Sequence, residues 1–234
     1  MSLFARTFIA LLLLGISASG SHAKSYKELF PDRTYQNSEA QAFVESLNYQ
    51  QGTVLIGAAS VRLTVPNGFY FLGADDSRRV LVDLWGNPAV VAQKTLGMIF
   101  PAGDTPVDDV WGAVISFDAD GYVSDEDAAS IDYASLLKSM QAGEVEVNKE
   151  RVQQGFPEIH LVGWAAQPFY DKSTRKLHWA KELQFGSDPK HTLNYDIRVL
   201  GRSGVLKINF VSDIGLLGAI NGPPWREPIM SKGV

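Results

Sequence analysis

From Ile159 onward the chain alternates apolar and polar residues with a period of two, as strands do when they bury one face. Four such stretches, Ile159 to Phe169, Leu177 to Phe185, Thr192 to Leu200 and Val205 to Val211, are parted by turn-forming segments at 171–176, 186–189 and 201–204. A two-residue turn at Arg202-Ser203 sets Val199 opposite Leu206, Ile197 opposite Ile208 and Tyr195 opposite Phe210, all apolar and all on one face. The other face then pairs Arg198 with Lys207 and Asp196 with Asn209. In the strand before, Leu177, Trp179, Leu183 and Phe185 read as an apolar face, with His178, Glu182 and Gln184 opposite. Lys181 breaks that pattern, either snorkelling at the core edge or serving as a buried functional amine.

Earlier in the chain the spacing lengthens to three and four. Ser38 to Tyr49 reads as a helix with Phe43, Val44 and Leu47 inward, and Asp75 to Leu84 as a second, halted by Trp85-Gly-Asn-Pro88. Asp125 to Met140 reads as a third, capped by Ser124, with Asp125, Glu126 and Asp127 complementing its positive end. Strands are expected at Val61 to Val65, from Phe69 to Leu72, at Leu96 to Phe100 and at Val110 to Phe117. The fold class is therefore α+β: an antiparallel β-meander sheet in the C-terminal half with helices packed on one face. A single domain over 38–220 is expected, preceded by a polar lead-in at 24–37 and followed by an irregular tail at 221–234.

The first 23 residues carry an export signal. Arg6 precedes an apolar run from Thr7 to Ile16, and Ser21 and Ala23 occupy the two positions a signal peptidase requires to be small. That run is shorter than the ~20 residues that span a bilayer, so cleavage after Ala23 is expected over retention as an anchor. Composition narrows the rest. With no Cys among 234 residues, disulfide scaffolds, thiolate metal sites and thiol nucleophiles are excluded. A formal net charge of -5 argues against a nucleic-acid partner, which needs a positive field.

Three features bear candidate chemistry. Between Lys94 and Lys138 there is no Lys or Arg but nine acids, and Ser116 to Asp127 can be laid on a twelve-position calcium loop. Asp118, Asp120, Ser124 and Asp127 would then be ligands, although Ser116 stands where the first acid belongs. The competing reading makes Asp120-Gly121 a turn and Ser124 a helix cap, and this is preferred. The second feature is the polar sheet face of His178, Glu182, Asn194, Asp196, Arg198, Lys207 and Asn209, suited to acid–base work, to an anionic ligand, or to solvated cross-strand pairs. The third is Trp85-Gly-Asn-Pro88, where Trp85 and Asn87 on a rigid turn form a candidate binding loop. No Walker loop, dinucleotide fingerprint, nucleophile elbow or His-Glu-x-x-His motif is present.

Several segments resemble a known family. They include Leu63-Thr-Val-Pro-Asn-Gly-Phe69, Trp85-Gly-Asn-Pro88, Asp120-Gly-Tyr-Val-Ser-Asp-Glu-Asp127, Leu177-His-Trp-Ala-Lys-Glu-Leu183 and Leu193-Asn-Tyr-Asp-Ile-Arg-Val-Leu-Gly-Arg202. Together they resemble the DUF2167 family of predicted membrane-anchored bacterial proteins of unknown function, over roughly Tyr49 to Val211. The resemblance implies a bacterial envelope location and membrane association, and supplies no catalytic residues. It also implies further C-terminal hydrophobic segments, where this chain has a short polar finish, so a truncated member is expected. The combined expectation is a non-catalytic binding or interaction module with an envelope protein partner. The alternatives are an extracytoplasmic hydrolase using the polar face and a calcium-stabilised module.

Overall fold

In the computed structural model, residues 22–59, 61–126 and 128–215 are described. The leader through Ser21, Asp127 and the expected tail lie outside the described residues. The chain runs β1 (His22–Lys24), α1 (Tyr26–Leu29), α2 (Ser38–Glu45), β2 (Tyr49–Ile56), β3 (Val61–Val65), β4 (Phe69–Gly73) and α3 (Ala74–Arg79). A π-helical turn (Val80–Leu84) continues α3. Then come α4 (Ala89–Ala92), β5 (Thr95–Pro101), β6 (Gly112–Asp118), α5 (Tyr133–Gln153), β7 (Ile159–Asp171), β8 (Lys176–Phe185), β9 (His191–Leu200) and β10 (Val205–Asp213).

All strand pairs are antiparallel, in the order β1-β2-β4-β5-β6-β10-β9-β8-β7, with β3 hydrogen-bonded to β2 off that path. The C-terminal meander is thus continuous with the N-terminal strands, because β10 pairs β9 on one side and β6 on the other. Its last hairpin has the expected register, with Val199 facing Leu206, Ile197 facing Ile208 and Tyr195 facing Phe210.

Two cores occupy opposite faces. On the first face, Phe71, Ile99, Ala113, Phe210, Tyr195 and Ala180 form one row across six strands. Val54, Ile56 and Val65 from the β2–β3 hairpin pack in the same cluster. Gly97 lies beside this row because the Phe71 ring rests against its α-carbon, and a Cβ there would also meet the Leu72 carbonyl at 2.8 Å. On the second face, Tyr70, Leu72, Met98 and Phe100 are covered by Val44 of α2 and Leu47 just after it, by Val80 and Leu81 of the π turn, and by Ala92 of α4. Helices α1 to α4 therefore shield one face of the N-terminal strands.

Three segments differ from the sequence reading. The lead-in is ordered into the second core: Tyr26 and Phe30 are buried there, and Arg33 pairs with Asp108 while Tyr35 donates to Asp108 at 2.9 Å. The β1 strand spans the cleavage point expected after Ala23 and pairs with Tyr49–Gln51. The third expected helix does not begin at Asp125. Asp132 caps α5 instead, accepting from Ala134 N and Ser135 N, and Ser124 Oγ serves only a local turn with Glu126 N. The helix then runs to Gln153, through Glu144-Val-Glu-Val147, whose alternation conceals a helix from pattern reading.

Helix α5 does not lie on a sheet face. It runs beside β7, the last strand of the order, and bonds that strand's backbone with side chains. Asn148 gives Nδ2 to the Ile159 carbonyl and takes the Ile159 N–H, both at 2.9 Å. Glu144 takes the Leu161 N–H and Gln141 donates to the Leu161 carbonyl. A groove of about 520 Å³ remains between helix and strand, lined in part by Val145, Val152 and His160.

Candidate functional site

The meander strands present a mixed cationic, aromatic and amide surface on their second face. Register defines it row by row. Leu177, Arg198, Lys207 and Ser116 form one row across β8, β9, β10 and β6. Trp179, Asp196, Asn209 and Val114 form the next, followed by Lys181, Asn194 and Val211. Trp164 of β7 lies opposite Lys181.

The sequence-derived polar face therefore divides. Asn194, Asp196, Arg198, Lys207 and Asn209 share the second face as expected. His178 and Glu182 do not, since His178 opposes Ile197 and Glu182 opposes Leu193, both in the first core. His178 is buried, stacked on Phe169 with ring centroids 4.5 Å apart, and its Nδ1 lies 2.6 Å from the Tyr195 hydroxyl. Burial, assisted by the Lys176 charge, lowers its pKa from the ordinary histidine value of 6.5. Glu182 is bonded by His191 at 2.5 Å, away from Arg198. In their place the second face gains Trp179 and Lys181, which the sequence assigned to an apolar side. The cause is the β8–β9 connection at 186–190, whose length sets even positions of β8 against odd positions of β9.

Contacts within this surface run both along the rows and diagonally between them. Lys181 Nζ is 2.9 Å from Asp196 Oδ2, so the lysine that broke the pattern is paired, not snorkelling. Asn209 Nδ2 donates to Asp196 Oδ1 at 2.9 Å. The Arg198 guanidinium stacks on Trp179 at 4.5 Å, and Trp164 stacks on the same indole at 6.2 Å with rings 24° apart. Trp179 and Asp196 are each only 8% exposed. Six buried side-chain polar atoms among the described residues lack a hydrogen-bond partner, and four of them lie on this surface: Trp179 Nε1, Arg198 Nε, Asn209 Oδ1 and Asp196 Oδ2, the last in ion-pair contact with Lys181. They belong to adjacent side chains, and buried polar atoms are seldom left unpaired in folded proteins.

The neighbouring acids are engaged. Asp118 is held by Lys207 at 2.7 Å and by Lys94 at 3.3 Å, which lower its pKa below the usual carboxylate range despite some burial. Asp125 accepts from Tyr170 and lies 3.7 Å from Arg175, which also reaches the Tyr122 hydroxyl. The segment after β6 is thereby tied to the β7–β8 hairpin, three strands away, on the Arg198 side of the sheet. For the calcium reading, Asp118 faces two lysines, Ser124 faces Glu126 N, and Asp127 lies outside the described residues. Among the described residues no group of three or more His, Asp or Glu is assembled for a metal.

The Trp85–Asn87 loop is spent on local structure. Asn87 Nδ2 and N both bond the Leu81 carbonyl, closing the π turn, and Trp85 Nε1 donates to Pro106 O at 3.2 Å. The Trp85 ring meets Phe100 edge-on at 6.0 Å and fills the space a side chain at Gly112 would take.

Fold and site define an antiparallel α+β protein with a half-buried cationic and aromatic surface on its C-terminal strands. Residues 48–223 match the family described as protein of unknown function (DUF2167), and the chain belongs to that family. No curated protein matches it. The solution structure of cyanobacterial PsbP (CyanoP) from Synechocystis sp. PCC 6803 is similar at a TM-score of 0.34 and 10% identity, covering 85% of this chain and 83% of that one. Among the described residues no helix is long and apolar enough to cross a membrane.

Proposed function

We propose that this protein is an exported, non-catalytic binding module of the bacterial envelope, and that the Trp179, Asp196, Arg198 and Asn209 surface is where it binds. One observation carries the reading: Trp179 Nε1, Arg198 Nε and Asn209 Oδ1, on three neighbouring strands of one face, are buried without hydrogen-bond partners. Each such atom costs on the order of 1–3 kcal/mol, which hydrogen bonds from a bound ligand would offset. Binding is favoured over hydrolysis because the His and Glu that acid–base work requires point into or toward the opposite core. Export is supported by Arg6, the apolar run from Thr7 and the small residues before Lys24.

The test is capture from the envelope fraction of the native cell by the tagged full chain, compared with Arg198→Gln and Trp179→Phe variants of unchanged circular dichroism. Loss of the captured species in both variants supports the reading. Undiminished capture by both overturns it. Fractionation of the same cells tests export: tagged chain confined to the cytoplasm refutes it.

A further inference from the structure

We infer that this surface takes an oxyanion bearing its own proton, with inorganic phosphate or a phosphate monoester as the chemical class. The inference rests on the binding reading and names its ligand. Asp196 Oδ2 also lacks a hydrogen bond but is met by the Lys181 charge at 2.9 Å, so the three other unpartnered atoms specify the hydrogen-bond polarity required of an occupant. Arg198 Nε and Trp179 Nε1 can only donate, whereas Asn209 Oδ1 can only accept. The amide orientation is fixed by its neighbour. Asp196 Oδ1 receives Asn209 Nδ2 and Asp196 Oδ2 faces Lys181, so the carboxylate requires a donor and turns the amide oxygen away from itself. The occupant must accept twice and donate once.

Charge narrows the choice further. Among the described residues Arg198 has no carboxylate within ion-pair distance, and it shares a row with Lys207. Lys207 and Lys94 divide a single carboxylate, Asp118, while Lys181 uses Asp196. This part of the surface thus holds an excess of cations over carboxylates. Stacking on Trp179 holds the guanidinium plane, which is the condition for a two-pronged grip on an oxyanion. A phosphate with a P–OH group accepts from both donors and gives its proton to Asn209. Sulfate and carboxylate carry no proton at neutral pH and leave Asn209 unsatisfied. A single water meets the polarity but not the charge.

The experiment is calorimetric titration and thermal melting of the purified full chain with sodium phosphate, sodium sulfate, sodium acetate and glycerol phosphate at low ionic strength. Phosphate is expected to bind at least about tenfold more tightly than sulfate or acetate at pH 7, and to raise the melting temperature. Glycerol phosphate separates the two sources: a monoester site binds it more tightly at pH 5.5 than at pH 7, because its second pKa is about 6. Arg198→Gln and Arg198→Lys should both abolish binding, and Asn209→Leu should bring phosphate down to the level of sulfate. Equal affinity for phosphate and sulfate overturns the inference, as does phosphate binding that survives Arg198→Gln, or no binding by a folded chain. If phosphate fails while Arg198→Gln still diminishes envelope capture, the ligand class is wrong and the binding reading stands. If both fail, both fall.

Discussion

Removing one member of the Lys181–Asp196 pair should be costly, whereas removing both should not. At 2.9 Å and an effective dielectric of about 20, the attraction is about 6 kcal/mol before desolvation is counted. Desolvation offsets much of this, since the two side chains are only 18% and 11% exposed. Asp196→Leu strands the Lys181 ammonium and deprives Asn209 Nδ2 of its acceptor, so about 3 kcal/mol of destabilisation is expected. Lys181→Met strands the carboxylate, although Asn209 still serves it, and about 2 kcal/mol is expected. The double variant places two apolar side chains beside Trp179 and should fall within about 1 kcal/mol of the parent. Urea unfolding of the parent, both singles and the double measures the cycle, and the coupling should be about 4 kcal/mol. Single variants that each cost under 0.5 kcal/mol would refute the reasoning, since the pair would then behave as a solvated surface bridge. A double variant that is stable yet no longer binds phosphate would place the pair's value in the ligand, not in the fold.

Three further outcomes are expected. Asn148→Ala leaves the Ile159 N–H and carbonyl without partners, so about 2–4 kcal/mol of destabilisation and faster proteolysis within α5 are expected, against under 0.5 kcal/mol for the exposed Lys149→Ala. His178 stays neutral in the fold because burial lowers its pKa, so the native state binds fewer protons than the unfolded chain below pH 6.5. The urea midpoint should fall as pH drops from 6.5 toward that lowered value, and His178→Phe should flatten this slope. Millimolar calcium should leave the melting temperature unchanged, because Asp118 would have to release Lys94 and Lys207; a calcium-dependent rise would restore the metal loop.

Most strands and the last hairpin's register were legible because a two-residue turn fixes parity, and one face is uniformly apolar. Half of the site was legible for the same reason. Trp179 and Lys181 were not, because the longer connection at 186–190 leaves the parity of β8 open, and a Trp beside a Leu and a Phe looks like core. Lys181 was the available signal: a lysine out of pattern opposite a strand bearing Asp196 calls for the other register. Helix α5 escaped in its second half because it has almost no apolar face. Its buried residues, Asn148 and Arg151, are polar and serve backbone carbonyls. Patterns of hydrophobicity detect burial against side chains, not hydrogen bonding along a strand edge.

That last arrangement gives α5 a role unlike that of the other helices. Gln141, Glu144 and Asn148 offer β7 donors and acceptors where another strand would otherwise offer them. In hydrogen-bonding terms the helix is a surrogate eleventh strand after the ten of the sheet, but one with no second edge to pass the pattern on. At Ile159 and Leu161, therefore, sheet extension by a neighbouring molecule is blocked, a local safeguard against fibrillar stacking where the strand begins.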